Sequence, residues 1–249
     1  MRNRILFFLA AVALSVGPLH AQEALRGPDG GTTYSVSGVD LLAIPDKPFS
    51  ANSRTDWTRI LSDGSTVQVH LTTKLARDSS GRVYRERHSF IPGNEETQTR
   101  PNQIKINDPV ALTQTICTVS THHCVISNYQ PRTSFATMPV GSFADGTRYL
   151  KREELGTNTM EDLDVIGTRE TLTINAGVVG NQRPLVTTRE FWYSPDLQTN
   201  LSITRNDPRE GKQVVQLSNL SRSDPPSELF EVPAGFTVQD ARGTGGPAQ

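Results

Sequence analysis

Cysteine is nearly absent from this sequence: Cys117 and Cys124 are the whole complement. Two thiols cannot build a four-cysteine zinc site. Several spacings that carry chemistry are missing as well. There is no H-E-x-x-H for a zinc protease, no G-x-S-x-G elbow for a serine hydrolase, and no G-x-x-x-x-G-K-[ST] or G-x-G-x-x-G to cradle phosphate. Excess charge of one sign is also lacking, with 25 Lys and Arg against 26 Asp and Glu. The whole-chain charge therefore offers no case for nucleic acid or an anionic surface as a partner. Long apolar runs are confined to the start of the chain. Beyond it, no window of helical length shows an apolar stripe at helical spacing.

What is present begins with a leader. Arg2 and Arg4 precede the apolar run Ile5–Val16, and Leu19-His20-Ala21 ends in a small residue. Residues 1–21 are expected to be a signal peptide cut near Ala21, sending the protein to the periplasm or outside the cell. The leader carries no acid, so the mature chain holds 23 basic and 26 acidic residues. Residues 22–47 are expected to be a flexible segment, residues 48–238 a single antiparallel β domain, and residues 239–249 a disordered Gly-rich tail.

An even cysteine count in an oxidising compartment favours a disulfide. Cys117 and Cys124 can face each other across a hairpin centred on Ser120-Thr121. Two free thiols, or a metal held with His122 and His123, are the alternatives. Neighbouring histidines on a strand point to opposite faces, which weighs against the metal. No metal and no cofactor are expected.

The dominant pattern has period two. Val67, Val69, Leu71, Thr73 and Leu75 alternate with Gln68, His70, Thr72 and Lys74. Asp78-Ser79-Ser80-Gly81 supplies turn residues, and the chain returns from Val83, giving a hairpin. Ile104 and Ile106 open another strand. Leu112–Val119 and Cys124–Tyr129 form the cysteine hairpin, and strands follow over residues 148–155, 165–174 and 185–193. Leu201 and Ile203 pair with Val215 and Leu217 across the turn Asp207–Gly211. One helical turn at Pro226–Phe230 docks Leu229 and Phe230. Eight to ten strands of this kind predict an all-β protein: a curved antiparallel sheet, half-barrel or partial barrel, with few short helices.

Phe191-Trp192-Tyr193 is the densest aromatic run, placing Phe191 and Tyr193 on one face and Trp192 on the other. These rings either pack the core or form a platform for a ligand. His70, His88, His122 and His123 are expected to be surface residues rather than bases. Glu153-Glu154 and Glu161-Asp162 stand out only by adjacency, which does not make a catalytic pair on a strand. Arg82, Arg85 and Arg87 either grip an anionic partner or protect a sheet edge. No catalytic residue is assigned.

A series of phrases resembles a large group of uncharacterised exported bacterial proteins. They are Pro48-Phe49-Ser50-Ala51, Leu61-Ser62-Asp63-Gly64, Arg77-Asp78-Ser79-Ser80-Gly81-Arg82, Glu154-Leu155-Gly156-Thr157, Gly167-Thr168-Arg169, Trp192-Tyr193-Ser194-Pro195 and Leu229-Phe230-Glu231-Val232-Pro233. Their order covers residues 48–238. More remotely, the layout is similar to the LolA- and RseB-like lipoprotein-carrier half-barrels. That resemblance implies acyl-chain binding on a concave sheet face, although this sequence lacks the helices that lid it. The leading expectation is a non-enzymatic binding or sensing module for a lipid, a hydrophobic ligand or an envelope protein. A structural or interaction protein of the envelope with no small-molecule ligand, and a hydrolase of unrecognised type, are the alternatives.

Overall fold

The computed structural model describes residues 39–88, 101–132, 134–135 and 137–243. The leader, the lead-in up to residue 38 and the end of the tail lie outside them. The strands are β1 (Phe49–Ile60), β2 (Thr66–Arg77), β3 (Val83–Arg87), β4 (Gln103–Asp108), β5 (Thr113–Thr118), β6 (His123–Asn128), β7 (Gly141–Ser142), β8 (Arg148–Met160), β9 (Leu163–Ile174), β10 (Leu185–Ser194), β11 (Thr199–Asp207), β12 (Gly211–Ser221) and β13 (Thr237–Asp240). All belong to one open, curled sheet in the order β13-β6-β5-β4-β3-β2-β1-β12-β11-β10-β9-β8-β7. It consists of two six-strand meanders, β1–β6 and β7–β12, joined where β1 pairs with β12. Every pairing is antiparallel except β13 on β6. Thirteen strands exceed the eight to ten expected, and β1, β7 and β13 are the additions the pattern did not foretell.

Turn chemistry sets the register. Asp78 accepts the backbone N–H of Arg82 at 2.7 Å and its Nε at 2.6 Å, closing the β2–β3 turn. Glu161 and Asp162 both take positive φ, 50° and 57°, making the two-residue turn between β8 and β9 that matches sheet twist. Gly211 opens β12 at φ +88°, where a Cβ would stand 2.2 Å from the Thr58 carbonyl oxygen, so only glycine fits.

Alternation on β1 sends Phe49, Ala51, Ser53, Thr55 and Trp57 to one face. The register carries that face to Leu75 and Thr73 on β2, Leu217 and Val215 on β12, Ile203 on β11 and Phe191 on β10. The apolar members form the main core, together with Val39, Leu41, Val83, Leu197 and Leu201, and Leu163 and Val165 at the start of β9 join the same cluster. We call the side that carries Phe49, Ile203 and Phe191 the inner face. Among the described residues no helix longer than a 3-10 turn covers it, so the curl of the sheet itself supplies the burial.

On the other face, under β3 and β4, a second cluster gathers Ala76, Tyr84, Ile106 and Phe230, with Ile104 and Leu229 beside it. The 3-10 turn Ser227–Phe230 brings Phe230 there, as the sequence indicated. Arg82 stacks over that ring, 4.7 Å from its centroid. The core therefore switches sides across the sheet, and the end of β2 and the start of β3 are buried on both.

Packing also starts before Phe49. Val39, Leu41 and Leu42 are buried. Arg77, fully buried, donates through Nε to the Lys47 carbonyl at 2.8 Å, through Nη1 to Leu42 at 3.1 Å and through Nη2 to Leu197. One guanidinium thus ties the lead-in and the β10–β11 turn to the sheet. Burial lowers its pKa to about 10.

Candidate functional site: a charged belt on the inner face

Above the apolar floor, the inner face changes character within one row. Directly opposed partners run Trp57, Gln213, Arg205, Arg189, Glu170 and Arg152 across β1, β12, β11, β10, β9 and β8. Arg152 donates through Nε to Glu170 at 3.0 Å, and Arg189 donates through Nη2 to the other oxygen at 2.9 Å. Arg152 also reaches the Met138 carbonyl at 3.0 Å. One row on, Asp207 accepts from Thr187 Oγ1 at 3.1 Å and from Arg205 Nη2 at 3.1 Å. Arg209 closes the group, donating to Asp207 through Nε at 3.0 Å, Nη2 at 2.9 Å and its backbone N–H at 2.9 Å.

Burial alone would raise the Asp207 carboxyl. The hydrogen bonds from Arg209, its charge and the Thr187 hydroxyl outweigh it and hold the pKa at about 2. The belt is rich in arginine: Arg152, Arg189, Arg205 and Arg209 surround the carboxylates of Glu170 and Asp207. Its ends are the accessible parts: the Arg152 and Arg209 side chains are 30 % and 38 % exposed, against 5 % for Glu170 and 0 % for Asp207. In the row of Thr187 and Asp207, the β8 and β9 positions are Leu150, buried, and Leu172, partly buried, so apolar side chains stand beside the Arg152 end of the belt. A cationic band with the apolar core on one side and aliphatic side chains beside its Arg152 end can receive an anionic group attached to an apolar body.

The aromatic run divides as alternation requires along β9, but a register shift between Trp192 and Tyr193 interrupts pairing with β11. Phe191 is buried in the core. Trp192 lies over Gly167, its cross-strand partner, where a Cβ would meet the ring at 2.7 Å. Tyr193 is half-buried, and that burial raises its pKa.

The disulfide is formed. Cys117 and Cys124 are register partners on β5 and β6 with Cα atoms 4.0 Å apart, and both are buried. His122 packs edge-on against Phe236, centroids 5.0 Å apart, and His123 Nδ1 meets Thr237 Oγ1 at 3.1 Å, so the two histidines seat β13. Among the described residues no group of three or more His, Cys, Asp or Glu could hold a metal, and no helix is long and apolar enough to cross a membrane.

Two surface expectations are overturned. His88 is buried, bonded through Nε2 to Glu86 at 2.9 Å, with Tyr84 donating to the same carboxylate at 2.9 Å. Strand parity places all three on the second-cluster face, where burial, then Glu86, raises the Tyr84 pKa. Arg82, Arg85 and Arg87 do not guard an edge, because β3 lies between β2 and β4. Arg85 instead donates to the Val39 carbonyl and pairs with Asp40 at 3.8 Å. His70 is exposed as expected, paired with Asp56 directly across β1 and β2.

No protein-family model matches this chain, and no curated protein matches it. Solved structures do. A Pseudomonas aeruginosa MucA/MucB complex is similar over 80 % of this chain and 60 % of that one, with a TM-score of 0.31 and 12 % identity. A putative outer membrane lipoprotein-sorting protein domain from Vibrio parahaemolyticus matches over 73 % and 88 %, with a TM-score of 0.27 and 9 % identity. The Mycobacterium tuberculosis lipoprotein LppX matches over 71 % and 88 %, with a TM-score of 0.27 and 12 % identity. The chain thus spans about three fifths of the MucA/MucB match.

Proposed function

We propose that this chain is an exported, non-enzymatic binding module whose inner sheet face receives an anionic amphiphile. The observation that carries the reading is the belt, an arginine-rich row bordered by the apolar core on one side and by Leu150 and Leu172 at its Arg152 end on the other, and open at the Arg152 and Arg209 ends. Guanidiniums are forks that match a carboxylate or phosphate two bonds at a time, and in a partly dry setting those bonds are stronger than in water. An anionic headgroup would add acceptors at the two open ends, and the apolar rows would take its chains. The buried disulfide supports an oxidising compartment.

A fluorescent anionic acyl probe tests this, with a neutral acyl alcohol as comparison. The anionic probe should bind more tightly, and R152Q/R209Q, which removes one partner each from Glu170 and Asp207 and leaves Arg189 and Arg205 in place, should remove the preference in protein shown by urea unfolding to be folded. Failure of both probes to bind would refute the ligand and favour an envelope protein that acts through its surface alone.

A further inference from the structure

A different feature lies at one end of the strands. Because β1 and β9 run the same way in the sheet, the β1–β2 and β9–β10 connections emerge at the same end. Both hairpin tips present aliphatic side chains to solvent: Ile60, 72 % exposed, at the end of β1, Leu61 in the first connection and Val67 at the start of β2, and Val178 and Val179 in the second connection. Next to the second tip, Tyr149 on β8 and Val186 on β10 flank Thr173 on the outer face, and both are exposed. Isolated exposed aliphatics are ordinary, but two apolar tips at the same end of the strands, the second with a tyrosine beside it, mark an interaction surface.

Charge at this end favours one occupant. From Thr171 to Arg189 the sequence contains no Asp or Glu, and Arg183 stands exposed beside the second tip. Arg59 flanks Ile60, and Lys212 lies exposed at the start of β12, at the same end. The acids at this end are fewer: Asp63 stands exposed in the first tip and offsets Arg59, Asp145 pairs with Arg148 at 3.2 Å, and Glu210 is half-buried. Although the whole chain is slightly acidic, this end is locally basic and apolar. Apolar tips with basic flanks and an interfacial tyrosine fit a phospholipid surface. We infer that the chain docks on an anionic bilayer by the β1–β2 and β9–β10 tips. This inference does not depend on a ligand at the belt.

The test is co-sedimentation of the protein, purified from the exported fraction, with vesicles of phosphatidylethanolamine and phosphatidylglycerol. The wild type should bind, V178D/V179D and I60D should each weaken binding about tenfold or more, and V110D should not. Val110 is 76 % exposed but lies on the β4–β5 connection at the opposite end of the strands. As an independent readout, V179W emission should shift to the blue on adding vesicles. No binding by the wild type, an equal loss with V110D, or unshifted V179W emission would overturn the inference. Acyl-probe binding at the belt should survive the tip substitutions, so the two readings fail separately.

Discussion

Asp207→Asn removes the carboxylate that holds the inner end of the belt and keeps its volume. Asp207 is fully buried and accepts hydrogen bonds from Thr187, Arg205 and Arg209. Once that charge is gone, the Arg205 guanidinium, 7 % exposed, remains in a poorly solvated site without the Asp207 carboxylate. Breaking a buried pair from one side costs about 3–5 kcal/mol, and the retained amide acceptor reduces this to roughly 2–4 kcal/mol. For a domain of this size, that lowers Tm by roughly 4–15 °C. The pH profile gives a second signature. A folded pKa of about 2 against the ordinary 3.8 means that the stabilisation is complete above about pH 5 and is lost as pH falls through 3.8 toward 2. The shift corresponds to about 2 kcal/mol, and solvent screening around Arg209 reduces it to about 1–2 kcal/mol. Urea unfolding of both proteins between pH 7 and pH 2 measures the gap directly. A variant within about 0.5 kcal/mol of wild type at pH 7, or a gap that stays constant down to pH 2, would refute this electrostatic reasoning.

Gly167→Ala should cost about 1–3 kcal/mol, because the new methyl would meet the Trp192 ring at 2.7 Å and Leu155 Cβ at 2.8 Å. Adding Trp192→Leu should recover part of the loss in a double-mutant cycle, whereas strict additivity would mean that the ring does not rest on the glycine. Replacing Cys117 and Cys124 together by Ala should lower stability by about 2–3 kcal/mol, the loop-closure value for so short a span. Calorimetry showing an unchanged Tm would remove the disulfide from the stability of this hairpin.

Much of the sheet was legible because its turns and its alternation agree. Asp78 to Gly81 fixed β2–β3, Asp207 to Gly211 fixed β11–β12, and the two cysteines fixed β5–β6. β1 escaped notice because several inward positions are hydroxyls: Ser53 and Thr55 are buried opposite Thr73 and Leu71, so no hydrophobic alternation shows. β13 was invisible for another reason. Its four residues are all exposed, and it exists only by adding to β6. Val39 and Leu41 sit in a Gly- and Ser-rich stretch whose order comes from Arg77, far along the chain.

The belt was missed because its charged residues come from four strands and a turn, and no local window holds them. One signal was available. The parity that buries Leu201 and Ile203 also points Arg205 and Asp207 inward, and extending it two steps would have shown charges inside the sheet. Glu153-Glu154 stands out by adjacency alone, whereas Glu170, the acid buried between Arg152 and Arg189, has no mark in its local sequence. The belt also connects fold and function. A curled sheet that ends its apolar core in an arginine-rich row keeps a favourable place for negative charge where water is scarce.

Native mass spectrometry of the protein purified from the exported fraction asks most directly whether an anionic amphiphile belongs to the inner face. A non-covalent adduct that releases an acidic lipid or lipid-like species on activation is the expected spectrum, with the adduct depleted in R152Q/R209Q. Bare protein alone, still bare after incubation with anionic phospholipid, would contradict the assignment.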